Sequence, residues 1–171
     1  MNDTKKLTLS AMFLAIGQIL PFITGQIPEI GKMLCPMHIP VLLCGFICGA
    51  QYGAIVGFIC PLLRSVLFNM PIMYPSAIGM AFELLTYGFV SGYISEKWGL
   101  DSYRKIYAVL IISMVSGRII WGLAQTVLLG IKGNTFTFSA FMSGALLNAI
   151  PGIILQLILI PIIVRYFSRN K

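Results

Sequence analysis

An all-α bundle embedded in a membrane is the fold class this sequence predicts, and three observations lead there. Of 171 residues, 58% are hydrophobic and only 10% charged, where a soluble domain is nearer a quarter charged. The apolar residues fall in runs, several close to the 20 or so that a helix needs to cross a bilayer core. The basic residues gather at the ends of those runs, where Lys and Arg set membrane orientation. The length suits a single six-helix membrane domain spanning residues 1–171, with no room for a separate soluble one. A net charge of +7 would suggest nucleic acid in a soluble chain. Here orientation accounts for it, and the bilayer rather than nucleic acid is the expected partner.

A short polar, basic start (residues 1–6) precedes a first helix over 7–24. Ala11 and Ala15 give that helix a small-xxx-small spacing, which lets another helix backbone approach closely. Gln26, Glu29 and Lys32 follow it, rather than a small-residue cleavage site. The segment is therefore expected to be retained, not removed as a signal peptide. Residues 25–37 form a loop with Pro28 and Pro36. Residues 38–49 are apolar but short for a span, and predict either an abbreviated, tilted helix or one continuous with the next. A break is expected at Gln51-Tyr52-Gly53, before a third helix over 54–68 containing Pro61 and Arg64.

A Pro-bounded turn from Met70 to Pro75 brings the chain back into a fourth helix, 75–94, with Glu83 and Tyr87 four residues apart on one face. Residues 95–105 are polar and predict a loop. Arg118, Trp121 and Gln125 recur at helical spacing in the fifth segment, 106–129. A second polar loop, 130–139, holds Lys132 and Asn134. The sixth segment, 141–167, is interrupted by Asn148, Pro151, Gly152 and Gln156. With six spans, Lys5, Lys6, Lys97, Arg104, Lys105, Arg165, Arg169 and Lys171 fall on one side and only Lys32 and Lys132 on the other. The positive-inside rule then predicts both termini on the cytoplasmic side of the membrane.

Three charges lie inside these apolar segments: Arg64, Glu83 and Arg118. Each costs roughly 3 kcal/mol at the centre of a bilayer, so such residues pair, line a cavity or serve function. Helical rise puts Arg64 and Glu83 in the outer half and Arg118 with Asn148 near the middle. They lie beneath the loop that carries Glu29 and Lys32 and leads to His38. This distribution predicts a pocket open to the outside rather than a pore. Two arginines against one carboxylate leave a surplus positive charge that an anionic ligand would satisfy through a planar guanidinium. Trp121, Tyr87, Tyr74 and Phe82 are candidate walls, and Asn148 and Gln125 candidate orienting groups.

Plainer roles compete for the same residues. Arg64 and Glu83 could form an ion pair that locks two helices, Arg118 could bond carbonyls freed by Pro151, and His38 could cap or face solvent. Cys44 and Cys48 share a helix face near His38, but no second ligand pair accompanies them. Cys35, Cys44, Cys48 and Cys60 are therefore read as packed thiols, with no metal site.

No G-x-x-x-x-G-K-[ST] is present, so the chain has no P-loop of its own. No Ser–His–Asp or H-E-x-x-H pattern occurs, and a single histidine leaves little for acid–base catalysis, so no enzyme is expected. No inverted repeat is clear enough to mark a secondary transporter. A self-contained channel or secondary transporter for a small organic anion is the main alternative. An enzyme acting on lipid phosphates and a membrane scaffold are weaker ones.

The basic start, Ala11-xxx-Ala15, and the stretches MLCPMHIPVLLCGFICGAQYGAIVGF, PLLRSVLFNMP, MAFELLTYG and LLNAIPGIILQLILIPII resemble the substrate-binding S components of energy-coupling factor (ECF) vitamin transporters. They are most similar to a bacterial branch assigned to pantothenate. The resemblance implies a membrane coupling (T) subunit and two cytosolic ATPase subunits as partners. ATP is then hydrolysed by those partners, and this chain needs no cofactor. It implies further that Ala11 and Ala15 meet the coupling subunit and that residues 25–37 close the pocket. The whole component is expected to topple in the membrane to deliver its vitamin.

Overall fold

The computed structural model describes residues 2–23, 34–131 and 149–169, with 133 and 137. Among these are six α-helices: α1 (Asp3–Ile23), α2 (His38–Cys48), α3 (Ala50–Phe68), α4 (Ile78–Trp98), α5 (Tyr103–Ile131) and α6 (Ile150–Arg169). A wide helical turn, Met73–Ala77, leads into α4, and Tyr74 within it is extended (φ −118°, ψ 128°). Four segments are long and apolar enough to cross a membrane: α3, Met73–Trp98, α5 and α6. The all-α class expected from the sequence is therefore the one observed.

The shortest helix is the centre of the bundle. Every residue of α2 is buried, and α1, α3, α4 and α6 pack around it. Eleven residues span about 16 Å, roughly half of a hydrocarbon core. An abbreviated helix is tolerated there because protein, not lipid, surrounds its ends. A helix with an apolar surface all round is a buried one. HIPVLLCGFIC fits that description, with His38 its one basic residue.

The break between α2 and α3 is at Gly49, not at Gln51-Tyr52-Gly53 as expected. Gly49 has φ 99° and ψ 175°, a conformation that only glycine adopts readily. Gln51 and Tyr52 then lie comfortably in the first turn of α3. Gly53 is inside that helix for another reason. A Cβ on it would come within 2.6 Å of the Gly88 carbonyl oxygen, so α3 and α4 meet backbone to backbone. This small-residue contact is how helices gain van der Waals attraction in lipid, where no hydrophobic force drives them together.

The polar stretch 95–105 is mostly helical, contrary to expectation. α4 runs to Trp98 and α5 starts at Tyr103, leaving only Gly99 to Ser102 between them. Gly99, at φ 71°, caps α4, and its N–H donates to the Ser95 carbonyl at 3.1 Å. Lys97 lies in the last turn, where a cation suits the helix dipole. Arg165 of α6 closes over this connection, donating to the Leu100 carbonyl at 3.2 Å and to that of Asp101. A cleft lined by Lys6, Ser95, Glu96, Leu100 and Ser168 shows that the start of α1 and the end of α6 share this end of the bundle. Among the described basic residues, Lys6, Lys97 and Arg165 thus share one end of the bundle. Glu29, Lys32, Lys132 and Asn134 lie outside the described residues.

Candidate functional site

At the other end of α2, one buried cluster draws on three helices and the segment just before α2. Glu83 projects from α4 and is 1% exposed. Its Oε1 lies 2.9 Å from Arg118 Nη1 of α5 and 3.4 Å from His38 Nε2 at the start of α2. Tyr87, one turn further along α4, is fully buried and sets its ring edge-on to His38, with centroids 5.3 Å apart. Arg118 Nη2 approaches Cys35 Sγ at 3.8 Å. The Glu83-xxx-Tyr87 spacing places both side chains on the same face of α4. Proximity to α5 depends on Gly117. A Cβ there would stand 2.0 Å from Tyr87 Cε1.

The partners in this cluster are close but imperfectly matched. Glu83 Oε1, both ring nitrogens of His38, the Tyr87 hydroxyl and Arg118 Nε are buried without a hydrogen-bond partner among the described residues. Glu83 and Arg118 are an ion pair by distance, yet their angles fall outside hydrogen-bond geometry. A buried polar atom left unmet costs about 1–3 kcal/mol, and native proteins contain few of them. Here four adjacent residues supply five. Chemically the cluster offers guanidinium, imidazole and phenol donors together with carboxylate and imidazole acceptors, suited to a small polar ligand that completes them.

The other sequence-derived candidates divide. Gln125, two turns beyond Arg118 on α5, is buried, and it lies where a Cβ on Gly79 would reach to within 2.5 Å of its Nε2. Trp121 is half-buried between them in sequence. Tyr74 is committed elsewhere, its hydroxyl donating to the Leu128 carbonyl and tying the turn before α4 to the C-terminal part of α5. Phe82, a candidate wall, is exposed and sits edge-on to Phe58 at 6.0 Å. It is on the outer surface because it precedes the inward-facing Glu83 by a single residue, about 100° around the helix. Asn148 lies outside the described residues.

Arg64 is not the partner of Glu83. It donates to the Gln18 carbonyl at 2.6 Å, and its guanidinium lies 5.1 Å from the ring centres of both Phe22 and Phe68. These contacts join α3 to α1. Ala11 and Ala15 are both exposed on α1, beside exposed Met12, Ile16 and Ile19. Cys35 and Gly117 belong to the site and were not singled out from sequence. A glycine directly before a membrane arginine was the available signal for one. Cys35 gave none, since its placement depends on a backbone conformation.

The sequence model of the family described as ECF transporter, substrate-specific component, matches residues 5–164. The chain belongs to that family. No curated protein and no solved structure matched it. As a substrate-specific component it is a multi-pass membrane subunit of an ECF transporter, a family that works in general with coupling and ATPase subunits.

Proposed function

We propose that this substrate-specific component binds pantothenate at the outer membrane face, in the Glu83–Arg118–His38–Tyr87 cluster, and delivers it across the membrane. The observation that carries this reading is the group of five unmet buried polar atoms on four neighbouring residues. Pantothenate has a carboxylate for Arg118 and an amide and two hydroxyls for the imidazole, carboxylate and phenol. Trp121 and Gln125, on the same stripe of α5 as Arg118, extend the pocket, with Asn148 as a further orienting group.

In this reading the component has six spans and both termini in the cytoplasm, and it does no chemistry itself. Ala11 and Ala15 dock the coupling subunit, and the partners' ATP hydrolysis drives release. Thermal denaturation of the purified chain in detergent against a panel of water-soluble vitamins tests it, because a ligand that binds only the folded state raises the melting temperature with concentration. Pantothenate is expected to do so, and Arg118→Ala to abolish the shift. A shift with another vitamin replaces the substrate. No shift with any vitamin favours a self-contained transporter or a scaffold.

A further inference from the structure

We infer that the Nε–Nη2 edge of Arg118 is the subsite for the ligand's carboxylate, and that Cys35 stands on that edge as a weak occupant which the carboxylate replaces. This rests on the function proposed above and locates one part of the ligand within it.

A guanidinium has two ways to grip a carboxylate, and Glu83 has taken only one corner. Nη1 is 2.9 Å from Glu83 Oε1. Nε and Nη2 share the other edge, where two parallel N–H bonds match the spacing of a carboxylate's oxygens. On that edge Nε is buried without a hydrogen-bond partner among the described residues, and Nη2 has the Cys35 sulfur at 3.8 Å. A thiol is a weak acceptor. It cannot satisfy a cationic pair of donors, so an oxyanion arriving there gains two charge-assisted hydrogen bonds and gives up little.

The surroundings point to a ligand independently of the thiol. His38 and Glu83, 2% and 1% exposed, hold unmet polar atoms within the same cluster. The backbone of Cys35 is also unusual. Its φ is 47°, and the His38 N–H donates to its carbonyl at 3.1 Å. Left-handed backbone in a residue other than glycine is uncommon and concentrates at functional sites. It is also the conformation that Asn and Asp adopt more readily than other side chains. Aspartate and asparagine are thus natural replacements at this position, nearly equal in shape, the one a carboxylate and the other a neutral amide.

The test compares Cys35→Asp with Cys35→Asn in the full-length purified chain, titrated calorimetrically with pantothenate and with pantothenol, its neutral alcohol analogue. A fixed carboxylate at position 35 occupies the Arg118 edge and repels the ligand's own. Cys35→Asp is expected to bind pantothenate about 100-fold more weakly than Cys35→Asn, the equivalent of two charge-assisted hydrogen bonds. The two variants are expected to hold pantothenol within about threefold of each other, since charge repulsion then has no target. Equal pantothenate affinity in the two variants overturns the subsite and leaves the proposed function standing. Equal weakening of acid and alcohol also overturns it. Unmodified protein that holds the alcohol as tightly as the acid overturns it without any variant. If the unmodified protein binds no pantothenate, the subsite and the proposed function fall together.

Discussion

The Glu83–Arg118 pair permits a worked prediction in which stability and binding separate. At 2.9 Å, two unit charges attract by about 6 kcal/mol at an effective dielectric of about 20. Removing both charges from water takes back much of that, so the pair adds little net stability. Removing one partner is different. Arg118→Met leaves Glu83, 1% exposed, with the His38 ring at 3.4 Å as its closest described polar neighbour. Glu83→Gln leaves the guanidinium similarly stranded. Each single change is expected to destabilise the protein by about 3–5 kcal/mol. The double variant is expected to lose far less than the sum, giving a coupling of about 3 kcal/mol in a double-mutant cycle, at the upper end for residues in contact. Denaturant titration in detergent micelles, followed by tryptophan fluorescence, measures all four corners. Ligand binding measured in parallel is expected to be absent in both proteins that lack Arg118, including the stable double variant. Additive losses of stability would refute the assignment of a coupled buried pair.

Gly117→Ala places a methyl 2.0 Å from Tyr87 Cε1 and is expected to cost about 1–3 kcal/mol by overpacking. It should also weaken ligand binding by shifting Tyr87 off His38, and calorimetry showing native affinity would contradict that. Arg64→Met removes a charged hydrogen bond to Gln18 and contacts with Phe22 and Phe68. A loss of about 2 kcal/mol or more is expected in denaturant titration, with ligand affinity in the surviving folded fraction nearly unchanged. Ala15→Leu adds bulk to an exposed face of α1, so melting temperature and binding should be retained while uptake by cells carrying the partner subunits is lost. Normal uptake would remove the docking role from that face.

How much of this molecule was legible beforehand follows from which forces act locally. Apolar runs and their lengths are properties of the chain alone, and bilayer thickness converts them into helices. The all-α class, the short second helix and the burial of charges in apolar segments came from that level, and the family resemblance from particular stretches such as PLLRSVLFNMP and MAFELLTYG. Helix ends were less accurate, because Gly49 and Gly99 act through positive φ, and polar residues such as Glu96 and Lys97 fit the last turn of a helix as readily as a loop. Which arginine meets Glu83 was not readable at all. The sequence left the choice open, and the depths expected from helical rise put Arg64, not Arg118, level with Glu83. The choice is made by Gly117, which lets α5 press against Tyr87, and by Phe22 and Phe68, which hold Arg64 against α1. Cys35 entered the site for the same kind of reason. Its side chain reaches Arg118 only because its backbone turns left-handed ahead of α2, and pairings between distant segments exist only once the helices have packed.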